Sequence, residues 1–523
     1  VALRPTAFLA FVLCGHSEGA LFWGLAAMTT GHSRFRPANT ADRGASFLNR
    51  MEKDSDPAIG IEVNDVQSQL NTTWVRRIVW PDSLDALQAA IRQAAREGIG
   101  VSVSGGRHSM GGQQFGFDTV LLDMTGMTRV LRFDRERGLV EVEAGIEWPA
   151  LIGWLEREQA GESAPWGVRQ KQTGVDEVSL GGSLASNIHG RGLRFPPLIG
   201  DVESFVLVDA RGVAHTCSRR ENAELFSLAI GGYGLFGVIA HVTLRLAPRM
   251  RVERVVEIIR VRDFMTRIDQ RIADGFSYGD CQYSTDLGSE VEEHPGVFSC
   301  YRPVPAETPI AAGQKSLSHE QWVELYRLAR TDKRRAFEVY SQHYLSTNGQ
   351  VYWSDAGQLA GTLDFYHEGV RENAKRQRGT EMITEAYVRR ENLVDFLGDV
   401  RRDFIEHDVD PTYGTIRLIE RDDESFLAWA REACVCVVCN LHVVHTPTGR
   451  EKAVADFRRI IDRAIQHCGR FFLTYHRWAT REQIETCYPM FVDFLRLKRR
   501  YDPEERFQSD WYRHTKSLFA DRL

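Results

Sequence analysis

Hydrophobic and polar positions along this chain alternate between two periods, and the changes of period mark out its elements. After a polar, aperiodic arm over 34–72, residues 75–79 read as a strand. Pro81-Asp82-Ser83 then supplies a start signal for a helix over about 84–97, with apolar residues at helical spacing at 84, 87, 90 and 91. β-branched runs predict strands at 101–104, 120–123 and 139–143, and a helix over about 148–159 follows the Gly145 turn. The same texture runs over 202–248, with a hairpin signal at Asp209-Ala-Arg-Gly212, so the chain to Pro248 reads as one αβ unit. Beyond Arg249 come a strand near 252–260, a helix near 262–273 and a long polar stretch through Gly313. Strands are then predicted at 382–388, 414–419 and 435–444, and helices near 393–406 and 452–468. Long antiparallel strands with helices on one side suit this second unit, and the fold class is α+β.

Composition narrows the function classes. With 523 residues, 43% of them apolar and 26% charged, the chain can bury the cores of several domains and is no disordered tail. Its 65 basic and 71 acidic residues give a net charge of −6, so no basic field for nucleic acid is implied. Nine scattered cysteines, an odd number, suggest a reducing compartment over a disulfide framework. The apolar run 7–14 is too short to span a bilayer and is separated from the next, 20–28, by Gly15-His16-Ser17-Glu18. No membrane anchor is expected, and a packed helix or loose leader is preferred to a signal peptide. The expected location is cytoplasmic, with secretion or the periplasm as the alternative if that run is a signal. The sequence carries no signal for oligomeric state.

Three glycine-rich segments carry the candidate chemistry. In the first, Ser104-Gly105-Gly106-Arg107-His108-Ser109 follows a strand, and Gly111 and Gly112 close the loop. Such a loop can turn several N–H groups toward one anion, and its histidine can reach a cofactor ring, although on composition alone a solvated turn is the better reading. In the second, Ser179-Leu-Gly-Gly182-Ser183-Leu-Ala-Ser186-Asn-Ile-His189-Gly190 has small residues that let a planar ligand lie against the chain, where the plainer reading is a tight turn with a surface histidine. Two such loops flanking one αβ unit favour a large cofactor. The third, Gly232-Tyr-Gly-Leu-Phe-Gly237, fits G-x-G-x-x-G but follows a helical stretch and precedes a strand, the reverse of a nicotinamide fingerprint. Cys434, Cys436, Cys439, His442 and His445 resemble a metal cluster. On one strand, however, Cys434, Cys436 and His442 face opposite to Cys439 and His445, so no metal site is expected.

Taken together, these loops resemble the FAD-binding oxidoreductases of the vanillyl-alcohol oxidase and p-cresol methylhydroxylase (PCMH-type) superfamily, over about 74–248 and the C-terminal tail. The resemblance implies a two-subdomain FAD-binding unit over 66–250, preceded by an extension over 1–65. It further implies a substrate (cap) domain over 251–485 built on an antiparallel sheet, and a segment over 486–523 returning to the flavin unit. Gly106-Arg107-His108-Ser109 resembles the loop whose histidine bonds covalently to the flavin, 178–190 the second flavin loop, and 232–240, with Val238 and Ile239, the strand that meets the flavin. No cysteine lies in 164–173, where bicovalent relatives carry one, so a single histidyl link through His108 is implied.

The last third is similar to the aldonolactone and alditol oxidase branch. Gly414-Thr-Ile-Arg417 resembles its E-x-R strand, Asn440-Leu-His442 the strand that follows, and Tyr475-His-Arg-Trp-Ala-Thr480 its H-x-W-x-K segment. Its acidic residue falls here on Thr415 and its lysine on Thr480. The expected reaction is oxidation of a small alcohol, polyol or lactone-like substrate by hydride transfer to flavin N5, with Arg417, His442 and His476 as catalytic candidates. For each of these the plainer alternative is a structural ion pair or a core histidine. Oxygen or another acceptor would reoxidise the flavin, and bulky Ile188 beside His189 tilts the choice away from oxygen. The competing readings are a reductase or epimerase component for a lipid-linked or sterol-like substrate, and a flavin-binding protein without turnover.

Overall fold

The computed structural model describes residues 60–288, 290, 293–359 and 378–523. The apolar runs at 7–14 and 20–28 and most of the polar arm lie outside the described residues.

Three short parallel strands, β1 (Arg77–Val79), β2 (Val101–Ser104) and β3 (Val120–Asp123), form the first sheet in the order β1-β3-β2. The connection from β1 to β2 is helix α1 (Leu84–Arg96), capped by Ser83, whose hydroxyl accepts the Ala86 N–H. Leu87, Ile91 and Ala94 on its inner face share a core with Val101, Val120 and Leu122. The single strand expected over 75–79 is interrupted at Arg76, whose N–H donates to Thr119 O. Thr73–Val75 pairs instead with Ile61–Val63 in a separate ribbon.

A five-stranded antiparallel sheet follows, from β4 (Val130–Asp134), β5 (Leu139–Glu143), β6 (Val202–Val208), β7 (Ala214–Ser218) and β8 (Val238–Arg245), in the order β7-β6-β8-β5-β4. Helices α2 (Trp148–Glu158), α3 (Leu180–Ser186) and α4 (Ala223–Ala229) accompany it, and Trp148, Leu151 and Leu155 of α2 join Val140 and Val142 in its core.

The largest sheet has eight antiparallel strands: β9 (Arg251–Arg260), β10 (Tyr278–Tyr283), β11 (Pro295–Val304), β12 (Val351–Trp353), β13 (Gly379–Arg389), β14 (Pro411–Ile419), β15 (Cys434–Val444) and β16 (Arg470–Phe471). Their order is β12-β9-β11-β10-β14-β15-β13-β16. Helices α5 (Phe264–Ala273), α6 (His319–Thr331), α7 (Lys333–Ser346), α8 (Leu393–Glu406) and α9 (Pro447–Gln466) pack around it. Two central strands, β10 and β11, lie in the stretch that reads as polar and irregular in sequence. In β10 the polar residues point inward: Asp280 is 2% exposed, while Cys281, on the other face and opposite Phe298, is also fully buried.

After α10 (Arg481–Cys487), α11 (Phe491–Tyr501) and α12 (Asp510–Leu518) return the chain to the first sheet. The Val101 N–H donates to Arg506 O and the Gln508 N–H to Val101 O, both at 2.7 Å, so Phe507 extends that sheet beside β2. No helix among the described residues is long and apolar enough to cross a membrane.

Candidate functional site

The two glycine loops that stand out in sequence meet in space. Gly105 lies against Ser179, and Gly106 against the backbone carbonyl of Glu177, so closely that a Cβ at either position would overlap its neighbour. Arg107 between them and His108 sits at φ +61°, an uncommon conformation for a residue with a side chain. It is held from both sides: Nη2 donates to Asp123 Oδ2 at the end of β3 (2.7 Å), and its carbonyl accepts the Val66 N–H (3.1 Å). Asn71 Nδ2 reaches Met110 O at 2.6 Å, so the end of the polar arm braces the histidine loop. A third segment ties both loops together. Thr474 Oγ1 is 3.3 Å from Ser109 Oγ and 3.3 Å from Ser186 Oγ.

These segments wall a cavity of about 400 Å³, within the range of ligand sites. Ser104, Gly105, Gly106, Arg107, His108, Ser109, Ser179, Gly182, Ser186, His189, Val238 and Ile239 all line it. Ser183 and Gly190 do not. The Ser183 hydroxyl accepts the Trp148 indole N–H at 3.1 Å, and Gly190 packs on the Lys171 carbonyl, so both stabilise the loop from behind. Lys171, fully buried, places its ammonium on Asp176 Oδ1 (2.8 Å) and the carbonyls of Gln172 (2.7 Å), Val175 (3.1 Å) and Gln358 (3.2 Å), which fixes the adjoining wall.

The cavity continues onto one face of the large sheet. Asp280 and Gln282 of β10, Tyr413 and Arg417 of β14, Val438 and Asn440 of β15, and Ile383 and Glu385 of β13 line it. Glu385 is the most connected of them: its carboxylate accepts from Tyr387 OH (2.6 Å) and Tyr475 OH (2.7 Å) and meets His189 Nε2 at 3.1 Å. Burial by itself raises this carboxyl, yet His189, the Tyr387 hydroxyl and Arg417 outweigh it and hold it down at about 2. Burial likewise works against the Arg417 charge, but Tyr413 and Asp280 more than offset it, and the guanidinium stays above its ordinary range.

An FAD-binding domain model matches residues 75–218, which include both loops. L-gulono-1,4-lactone dehydrogenase of Mycobacterium tuberculosis is 27% identical over 447 residues, covering 83% of this chain and 95% of that protein. L-gulonolactone oxidase of Bos taurus is 28% identical over 193 residues, 37% of this chain and 42% of its own. Cytokinin dehydrogenase 2 of Arabidopsis thaliana is 27% identical over 200 residues, 37% and 38% of the two chains. The protein is an FAD-dependent oxidoreductase.

The cavity fits that flavin. Five buried polar atoms in its wall, Gln67 Nε2, Ser104 Oγ, Gln114 Oε1, Gln172 Oε1 and Thr173 Oγ1, have no hydrogen-bond partner among the described residues. A large polar ligand would satisfy them, as buried polar groups require. Gln67, Gln172, Thr173, Thr474, Glu385 and Asp280 carry no motif in the sequence. They reach this flavoprotein's site through long-range packing.

Two catalytic candidates lie elsewhere. His476 is stacked on Trp478, with ring centroids 4.0 Å apart, and edge-on to Phe457; burial pushes it down to about 3. It packs in the core of the flavoprotein, outside the cavity wall. His442 shares the sheet face of Asn440 but falls past the rim, against Gly379, and burial lowers it to about 4. Of the three candidates only Arg417 reaches the cavity. Thr480, on the branch's lysine position, caps α10, whereas Thr415 is buried, its hydroxyl without a partner among the described residues. Cys439 turns away from the cysteine-rich face, its Sγ 3.2 Å from Tyr283 OH, while Cys436 Sγ lies 3.7 Å from His189 Nε2.

Glu381 gives the flavoprotein a pH-dependent stability. Burial lifts its carboxyl to about 7, Asp410 adds to the rise, and hydrogen bonds from Thr412 and Asn440 together with Arg330 pull it back. The fold therefore favours the protonated form. This contribution is complete below the unfolded value near 4.5 and is lost as pH rises through about 7. Glu381→Gln is expected to remove a stability loss of about 3 kcal/mol over that window, read as the difference between the two proteins in denaturant unfolding at pH 4.5 and 8.

Proposed function

We propose that this protein oxidises a CH–OH group of a small alcohol, polyol or lactone-like substrate, with FAD held between the two glycine loops and joined covalently to His108. One observation carries the reading. In the cavity shared with the glycine loops, Asp280 Oδ1, Gln282 Oε1, Arg417 Nε and Asn440 Oδ1 are buried on a single sheet face without hydrogen-bond partners among the described residues. These atoms match a ligand that offers hydroxyl hydrogens and an electron-rich oxygen. FAD, when bound, supplies a two-electron acceptor for the substrate hydride.

The protein's residues do the rest. Arg417 holds the substrate oxygen by charge-assisted hydrogen bonds. Asp280, whose charge acts on Arg417, presents the carboxylate oxygen that takes the hydroxyl proton. Glu385, held at about 2, is too weak a base for that step, and its bonds to Tyr387, Tyr475 and His189 keep the floor rigid. The acid missing at position 415 is thus replaced from neighbouring strands: Gln282 and Val438 flank Thr415 in register, and Glu385 pairs with Val438. Ile188 in the wall beside His189 supports an electron acceptor other than oxygen.

Acid precipitation tests the attachment. The parent protein is expected to give a yellow pellet, and His108→Ala a colourless pellet with any flavin in the supernatant. A yellow pellet from His108→Ala would place the bond on another residue. Bleaching of the bound flavin by a panel of CH–OH compounds tests the reaction itself.

A further inference from the structure

We infer that the substrate carries a planar apolar group joined to its hydroxylated part, in the manner of an aryl glycoside, and that helices α6 and α7 bind that group. The inference rests on the oxidoreductase reading of the same cavity and specifies the substrate class. Besides the polar floor, the cavity is walled by Trp322 and Tyr326 of α6 and by Phe337, Tyr340 and Tyr344 of α7. The three α7 aromatics recur at spacings of three and four and so share one side of the helix. A helix with such a stripe ordinarily hides it in a core. Yet no residue of α7 is fully buried, and among the described residues the stripe is half-buried and turned to the cavity.

The wall is stiff and neutral. The Tyr340 and Tyr344 rings lie 4.4 Å apart, and the Arg254 guanidinium braces Tyr344 at 5.4 Å while also stacking on Tyr301 and Tyr352. Lys333, at the junction of the two helices, donates to Ala329 O (2.9 Å), Asp410 Oδ1 (2.5 Å) and Pro411 O (2.7 Å). An ammonium has three N–H groups, so this cation is fully committed and offers nothing to an anionic tail. The floor, in contrast, presents three unpartnered acceptors, Asp280 Oδ1, Gln282 Oε1 and Asn440 Oδ1, beside the Arg417 Nε donor. A free sugar or lactone would satisfy the floor and leave the aromatic wall wet. A plain arene would do the opposite. A hydroxylated group bearing a flat apolar substituent satisfies both, since aromatic surfaces gain most from ring-on-ring contact.

The test uses the full-length, flavin-replete protein and three probes: methyl β-D-glucopyranoside, 4-methoxyphenyl β-D-glucopyranoside and 4-methoxyphenol. Calorimetry measures binding, and bleaching of the flavin measures turnover. The aryl glucoside is expected to bind about tenfold or more tighter than the methyl glucoside, and 4-methoxyphenol alone to bind measurably. Trp322→Ala and Phe337→Ala, on separate helices and each checked for retained flavin colour, should bring the aryl-to-methyl ratio close to one. Equal binding of the two glucosides, a ratio that survives in both variants, or no binding by either aryl probe would overturn the inference. Arene binding without flavin bleaching by any CH–OH compound would instead remove the proposed reaction and leave the wall's preference standing. Bleaching by the methyl glucoside with no aryl preference would do the reverse.

Discussion

Arg417→Ala is expected to lower kcat/KM by about two to three orders of magnitude, the size of effect expected when a buried charged group that anchors the substrate oxygen is removed. Arg417 is 7% exposed and lines the cavity beside Asp280, Tyr413 and Glu385, so its removal withdraws a positive charge that acts on both buried carboxylates. Its Nε, without a hydrogen-bond partner among the described residues, is a donor beside the floor's acceptors. Because truncation strains the fold as well as the site, Arg417→Lys provides the second reading. Lysine keeps the charge but not the planar fork, so kcat/KM should still fall while thermal stability stays near that of the parent. An alanine variant within tenfold of the parent kcat/KM would exclude substrate anchoring by Arg417.

Gly106→Ala should reduce flavin incorporation by about tenfold to a hundredfold, the equivalent of the overpacking cost of one methyl group that cannot be accommodated. The obstacle is the backbone carbonyl of Glu177, which has no rotamer to change, so the methyl group must push the two loops apart. The flavin-to-protein absorbance ratio after purification reports the result directly. Gly153→Ala is the control. Gly153 lies within α2, where an added Cβ meets only the end of the Arg157 side chain. Full flavin loading of Gly106→Ala would mean that the cofactor does not depend on closure of these loops.

These two predictions draw on different layers of information. The two close-packed glycine loops were legible in sequence because their requirement is local and steric. Where backbone meets backbone only glycine fits, and Gly105-Gly106 directly after a strand supplies that fit. The first two sheets, built from short β-branched runs, could be read for the same reason, with β2, β3 and β5 falling on their predicted bounds. The substrate face was not legible. β10 reads Tyr-Gly-Asp-Cys-Gln-Tyr, and its alternation was concealed because Asp280 and Gln282 face a buried chamber where a core strand would carry apolar side chains. His476 misled in the opposite direction: its neighbours match a motif, while its ring is spent on packing against Trp478 and Phe457.

The amino-acid sequence alone therefore determined that two small-residue loops could clasp a large cofactor, and that an antiparallel α+β unit would follow them. Only the tertiary structure decided which polar groups share the chamber. Asp280, Glu385, Arg417 and Asn440 come from four strands, and strand order and register, set by pairings far apart in the chain, bring them onto one face. A period of two tells that side chains alternate, but not toward what.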